Sequence, residues 1–450
     1  MTPARTVCLG FLATITSGTL LLWLPFSTTA DGWGSPITAL FTATSAVCVT
    51  GLSVVDISQF YTGWGQFFIM LLCQVGGLGY MTSTTFLLLL FGRRFGLRDK
   101  LALQQTLEMP GMSGVLPLVK SIIAATLIVE LTGVFLLLGV FVPDQGWDRG
   151  LWLAIFHSVS AFNNAGFSLF SDGLLGFQAS PLLTLTIGGL IVAGGIGYQV
   201  LVELYLWVRS HPERLPGSHR RPDRFCFSLH FKIATTTTLV LLVLGTAAFL
   251  ATEFNNPATL GDRDFGVKLL AATFQSITTR TAGFNTVDIG QLTTASLFIS
   301  IALMFIGASP GGTGGGIKTV TMRILVGATQ SVLQGKETII LHQRQVPVNV
   351  ALKAVAVFFG SLSAVILATT LLASGEPEIP FLDLFFEAVS AFATVGLSVG
   401  ITGQLSLFSQ LVLVATMFVG RVGVLLLMGA IVGQPGRSRV RYPEEDLPVG

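Results

Sequence analysis

Four short stretches of this chain combine one glycine with small, β-branched or amide residues in the same order. They read Ser45-Ala-Val-Cys-Val-Thr-Gly51-Leu-Ser53, Ser160-Ala-Phe-Asn-Asn-Ala-Gly166-Phe-Ser168, Thr278-Thr-Arg-Thr-Ala-Gly283-Phe-Asn285 and Ser390-Ala-Phe-Ala-Thr-Val-Gly396-Leu-Ser398. The glycines are separated by 166−51 = 115, 283−166 = 117 and 396−283 = 113 residues, the signature of an internal repeat. The chemistry such a motif can do is to replace the water shell of a cation. Rings of backbone carbonyls supply oxygens without net charge, so the ion can leave again. Aiming several carbonyls at one axis needs unusual backbone angles, which glycine adopts at low steric cost.

Two other features belong with these loops. Gly307-Ala-Ser-Pro-Gly-Gly-Thr-Gly-Gly-Gly-Ile-Lys318-Thr interrupts an apolar segment with six glycines and a proline. A regular helix does not continue through such a run. It is not a phosphate-binding loop, because Ile317 separates the last glycine from Lys318-Thr319 and no strand precedes it. At mid-membrane an interrupted helix forms a transport site or a moving gate. Arg421 lies in the middle of the last apolar segment, in Phe418-Val-Gly-Arg-Val-Gly423. Placing arginine there costs about 2.5–3.5 kcal/mol on insertion scales, so it is expected to face a cavity or a partner. Its place in the repeat puts it below the glycine motifs, presenting positive charge to the pathway and bonding carbonyls of the interrupted loop. Arg280 is expected to brace the third motif from behind, since a guanidinium aimed into a cation filter repels the ion. Glu130 and Glu203 are expected to pair with neighbouring helices and His157 to pack within a short helix.

The elements that hold these groups follow from composition. Of 450 residues, 51% are hydrophobic and 11% charged, with a mean hydropathy of +0.75. Water is therefore not the main solvent of this chain. Each unit reads as a long apolar opening helix, a short apolar helix, the glycine motif and a long closing helix. The opening helices fall at about 7–24, 119–142, 233–251 and 351–373, and the closing helices at about 64–91, 181–208, 293–334 and 404–432. The short ones, about 36–46, 149–161, 265–278 and 381–392, cannot span a bilayer and fit re-entrant half-helices. The expected fold is an all-α integral membrane protein of four covalently linked helix–pore-helix–filter–helix repeats around a pseudo-fourfold central pore, with eight transmembrane spans. The expected boundaries are 1–91, 92–208 with an amphipathic lead-in, 209–334 with the broken closing helix, 335–433, and a tail at 434–450.

Charge orients the bundle. On the motif side, segments 25–63, 143–180, 252–292 and 374–403 carry 13 of 23 acidic residues but only Arg149, Arg263, Lys268 and Arg280 among 25 basic ones. The opposite loops carry Arg93, Arg94, Arg98, Lys100, Arg209, Arg214, Arg220, Arg221, Arg224, Lys336 and Arg344, which places them and both termini in the cytoplasm. Residues 7–24 are expected to be the opening helix of the first unit and not a signal peptide to be removed. Cys8, Cys48, Cys73 and Cys226 have no metal-ligand spacing and read as small apolar residues. Five scattered histidines and few buried carboxylates argue against an integral-membrane enzyme.

Thr279-Arg-Thr-Ala-Gly-Phe-Asn-Thr286 and Gly311-Gly-Thr-Gly-Gly-Gly-Ile-Lys-Thr319, within four such repeats, resemble the superfamily of potassium transporters that includes KtrB, TrkH and the plant HKT proteins. The first unit begins at residue 7 with no extra helices before it, which is closest to the KtrB branch. The resemblance implies a potassium pathway lined by Val49, Thr50, Gly51 and Leu52, by Asn164, Ala165, Gly166 and Phe167, by Thr281, Ala282, Gly283 and Phe284, and by Thr394, Val395, Gly396 and Leu397. Backbone carbonyls before each glycine contact the ion. It implies a gate of Gly311, Gly312, Gly314, Gly315, Gly316, Lys318 and Arg421 beneath them. Relatives that prefer sodium carry Ser at the first filter glycine, where this chain has Gly51. By the same resemblance the expected substrate is K+, with Na+ as activator and no organic cofactor in the chain. The expected assembly is a homodimer on a cytosolic ring of RCK subunits that bind ATP or ADP. The expected location is a bacterial plasma membrane, with no nucleic-acid partner.

Overall fold

The computed structural model describes residues 3–29, 32–79, 115–209 and 226–432. The expected end of the first closing helix, most of the linkers 92–118 and 209–231 and the tail at 434–450 lie outside them.

Within these limits the chain is helical and built of four like units. The opening helices are Pro3–Trp23, Val115–Gln145, Leu229–Glu253 and Val348–Gly375, each apolar and long enough to cross a membrane. Each packs on a short pore helix: Pro36–Val47, Trp147–Phe162, Phe265–Thr278 and Phe381–Phe392. Sequence explains where three of these start. Ser35 caps the first, its hydroxyl accepting from Thr38 N, with Pro36 in the first turn. Asp264 and Pro380 occupy the cap positions of the third and fourth. In the second the cap is Gly146 in the left-handed region (φ 77°), and Asp148 lies in the first turn, where its charge favours the helix N-terminus.

The closing segments depart from the expected pattern. The third is interrupted as predicted, Thr294–Phe305 being followed by a loop and then by Thr319–Leu333. The second and fourth, read from sequence as continuous helices, are also broken. Pro181–Gly195 and Tyr198–Val208 are bent by 104°, and Leu407–Val422 and Val424–Ile431 by 97°. The first, Gly63–Leu78, ends at Gly79. The second and fourth turn at a left-handed glycine, Gly197 (φ 94°) and Gly423 (φ 86°), and the described part of the first ends on another, Gly79 (φ 79°). A break at this level is thus common to the second, third and fourth units, and the third differs in the length of its insert. A second departure from all-α is a hairpin of Ile339–Leu341 with Arg344–Val346, turning at His342-Gln343. Leu341 and Val346 bury its apolar face with Ile324, Ile233 and Ala351, fastening the helix after the interruption to two opening helices.

Candidate functional site

At the end of each pore helix the four motifs adopt one backbone conformation. The residue two before the glycine is left-handed in every unit: Val49 (φ 52°), Asn164 (φ 57°), Thr281 (φ 67°) and Thr394 (φ 51°). The glycine is left-handed too: Gly51 (φ 92°), Gly166 (φ 70°), Gly283 (φ 78°) and Gly396 (φ 89°), with a residue of negative φ between. This alternation turns successive carbonyls to one side of the chain, where a strand would send them to two. Hydroxyls of the pore helices fix the turns. Ser160, Thr278 and Ser390 donate to the carbonyls of Phe167 (2.9 Å), Phe284 (2.6 Å) and Leu397 (2.6 Å), and Gly51 N donates to Ser45 Oγ at 3.0 Å. Leu52, Phe167, Phe284 and Leu397 are buried behind the loops.

The third loop is one residue tighter. Thr50, Ala165 and Val395 donate from the backbone to the carbonyl five residues back, at 2.7, 2.8 and 2.8 Å, whereas Ala282 reaches Thr278 O four residues back at 3.0 Å. Arg280 occupies that turn, is buried, and donates to Gly307 O at 3.3 Å on its own closing segment.

The four loops close on one another in a ring. A Cβ built on Gly51 would lie 2.5 Å from Ala165 O, and one on Gly166 would lie 2.7 Å from Ala282 O. One on Gly283 would meet Val395 O, and one on Gly396 would meet Thr50 O, both closer still. Each glycine therefore faces the carbonyl of the residue preceding the next glycine, and the fourth returns to the first. Outside the ring the loops interlock in the same order. Ser171 bonds Ser58 (3.2 Å) and Gln59 (3.1 Å), and Leu174 N donates to Asn285 O at 3.0 Å. Gly290 abuts Val399 O, and Gly403 abuts Val54 O.

Directly beneath lies the glycine-rich insert. Its neck is closed by Gly307 N to Ile317 O (2.9 Å), Thr319 N to Ala308 O (3.2 Å) and the Ser309–Thr319 hydroxyl pair (2.8 Å). The broken corner of the second unit holds one flank: Ser309 N donates to Gly195 O (2.9 Å), Thr313 N to Gly194 O (3.1 Å) and Tyr198 N to Gly311 O (3.2 Å). Gly312 packs against the carbonyl of Gly195. Arg421 holds the other flank, donating Nη1 to Thr313 O and Nη2 to Gly76 O, with Gly77 O at 3.4 Å from Nη2. Lys318 donates Nζ to Gly314 O at 2.7 Å and occupies the N-cap position of the following helix. Gly314 and Gly315 leave no room for a Cβ against Thr281 and Thr394, and Gly316 packs on Ala393. On its far side the insert faces a cavity of about 720 Å³ at the end of the bundle where Val7, Phe11 and Leu425 lie. Thr313, Gly314, Lys318 and Arg421 line it. The insert thus separates the ring from this cavity.

Some of the site was not anticipated from the sequence. Gly76, Gly194 and Gly420 on closing segments press against the carbonyls of Val47, Phe162 and Phe392, each four residues before a motif glycine. Their own recurrence, 25, 28 and 24 residues after Gly51, Gly166 and Gly396, was the available signal. Behind the second loop, Asn163 Nδ2 donates to Gln74 Oε1 (2.7 Å) and Glu130 Oε1 (3.1 Å), and Gln74 Nε2 donates to Glu130 Oε2 (3.3 Å). This triad, buried at Glu130 and Asn163, ties three helices to the ring. Glu130→Ala is expected to leave the Gln74 amide N–H without its acceptor and to remove one of three acceptors from Asn163 Nδ2, destabilising the fold by about 1–3 kcal/mol. Glu130→Gln should lose much less. Thermal unfolding in detergent checks both, and equal midpoints would refute the role. Glu203 takes Ser228 N (3.0 Å) and Oγ (2.6 Å) at the start of the third opening helix. His157 is fully buried between Leu153 O (2.8 Å) and Ser168 Oγ (3.1 Å). The site in the fourth unit equivalent to His157 is Glu387, which bonds Thr402. Among the described residues no group of three or more His, Cys, Asp or Glu is arranged to hold a metal ion.

The sequence profile of the TrkH family, described as a cation transport protein, matches residues 4–433. Ktr system potassium uptake protein B of Bacillus subtilis is 38% identical over 451 residues, covering 100% of this chain and 97% of the relative. The protein of the same name from Vibrio alginolyticus is 38% identical over 99% of this chain and 94% of its own. Potassium/sodium uptake protein NtpJ of Enterococcus hirae is 35% identical over 100% of this chain and 98% of its own. Among solved structures, the potassium transporter TrkH of Vibrio parahaemolyticus superposes with a TM-score of 0.73, covering 95% of this chain and 84% of that one. At 18% identity that likeness speaks for the fold alone.

Proposed function

The chain belongs to the TrkH family of cation transport proteins, and from that premise we propose that it carries out potassium uptake through the ring of four glycine loops. The observation that carries this reading is the closure of the ring: Gly51, Gly166, Gly283 and Gly396 each face the carbonyl before the next glycine. Carbonyls of Val49 and Thr50, Asn164 and Ala165, Thr281 and Ala282, and Thr394 and Val395 replace the ion's water. The membrane potential drives entry. At roughly 2.3 kcal/mol per charge per 100 mV, it supports about 50-fold accumulation. The insert at 307–318, pinned by Arg421, is the gate between the ring and the inner cavity.

In the same reading both termini are cytoplasmic and the membrane is a bacterial plasma membrane. The chain works as a homodimer on a cytosolic RCK-type ring that senses ATP or ADP, and sodium stimulates uptake. Similarity to two Ktr system proteins supports the partner subunit. A sodium-selective carrier of the same architecture is the competing reading. Similarity to a potassium/sodium uptake protein keeps it in the test, and Gly51 in place of Ser speaks against it.

The experiment is rescue, at limiting potassium, of a host lacking its own uptake systems. The intact chain should restore growth and Gly51→Asp should not, because the new carboxylate cannot clear Ala165 O and would trap the ion. Running each arm with and without sodium and the regulatory subunit tests those refinements. Growth supported equally by both chains would overturn the ring as the pathway, and sodium uptake without potassium rescue would select the competing reading.

A further inference from the structure

The insert touches the ring at two residues in particular, and they are chemically alike. Gly314 lies against the hydroxyl of Thr281, and Gly315 against the side chain of Thr394. The corresponding positions in the first and second units are Val49 and Asn164. Val49 has no side-chain polar atom, and the Asn164 amide is turned to Thr281 Oγ1 at 3.2 Å. At Thr394 the contact is a hydrogen bond: Gly315 N donates to Oγ1 at 3.0 Å, wholly buried. Thr394 is also a β-branched residue held at φ 51°, a conformation that persists only where the surroundings enforce it.

From this, and resting on the reading of the ring as the ion pathway and the insert as its gate, we propose that the Thr394 hydroxyl is a positioning latch between ring and gate. With the insert in place, one hydroxyl lone pair is committed to Gly315 N, and the insert in turn braces the strained backbone whose carbonyl belongs to the ring. Withdrawal of the insert removes both constraints at once. Gate position and ring geometry are coupled through this one oxygen, on the side of the ring formed by the last two units. The first two units contribute no hydroxyl there, so the coupling is asymmetric although the ring is fourfold.

Three full-length chains in liposomes test this: the parent, Thr394→Val, which keeps shape and loses the oxygen, and Thr394→Ser, which restores it. Rubidium tracer leak and hydrogen–deuterium exchange of the segment containing Gly315 are both read. Loss of one buried hydrogen bond should raise leak and exchange about fivefold in Thr394→Val, and Thr394→Ser should bring both back to within about twofold of the parent. Indistinguishable Val and Ser variants would overturn the latch. Should Thr394→Val fail to fold, Thr394→Ala against Thr394→Ser makes the same comparison. Exchange is read without transport, so a parent chain that carries no rubidium counts against potassium uptake while exchange still decides the latch.

Discussion

Gly396→Ala is expected to reduce transport by two orders of magnitude or more, whereas Gly400→Ala, four residues on, is expected to leave most of it. Both glycines are left-handed, at φ 89° and 96°, so the backbone strain of an alanine, about 1 kcal/mol, is common to the pair. They differ in what a Cβ would meet. At Gly400 nothing lies within 4 Å. At Gly396 it would run into Thr50 O and lie 3.0 Å from Gly51 Cα, backbone atoms of the first unit that cannot rotate away. The fourth loop must then move off the axis and take its carbonyls with it. A site that replaces hydration oxygen for oxygen does not tolerate such a shift. Rubidium uptake by the two variants at matched membrane abundance checks this. Equal activity would mean that ring closure has no part in conduction.

Arg421→Gln is expected to raise leak about tenfold or more. The guanidinium serves three carbonyls on two segments, Thr313 of the insert and Gly76 and Gly77 of the first closing helix. Gly76 O keeps Gly79 N as a donor, whereas Thr313 O loses Arg421 at a cost of about 1–3 kcal/mol, and 1.4 kcal/mol shifts an equilibrium tenfold. With the insert read as the proposed gate, its closed position bears that cost, since its other flank stays bonded to Gly194 and Gly195. Loss of positive charge beside the pathway acts in the same direction. Arg421→Lys should fall between, because an ammonium on a flexible stem does not span carbonyls placed for a planar fork. Unchanged leak in Arg421→Gln, at equal reconstitution, would show that the insert is held without it.

Much of this was legible because the chain repeats itself. Even glycine spacing, apolar runs of two lengths and the interrupted third closing segment located the units, the loops and the insert without coordinates. Arg421 stood out because an arginine amid apolar residues requires a partner. The corners at Gly197 and Gly423 were missed: each lies among other glycines of a helical run, Gly194 and Gly195 before the first and Gly420 before the second, and glycine is common in membrane helices as a packing residue. Only its φ distinguishes a corner from a contact. The hairpin at 339–346 was missed because six strand residues around His342-Gln343 lack the usual glycine or asparagine turn signal.

By itself the sequence determined solvent, repeat number, the short helices and the one glycine per loop, all local consequences of composition and spacing. The tertiary structure alone decided that Gly51 faces Ala165 while Gly396 faces Thr50, and that Thr394 meets Gly315. Those pairings join residues 79 to 346 positions apart, between units that look interchangeable along the chain. The order of units around the axis, and which hydroxyl lies under the insert, follow from how four similar surfaces pack together, a property that no single stretch of residues carries.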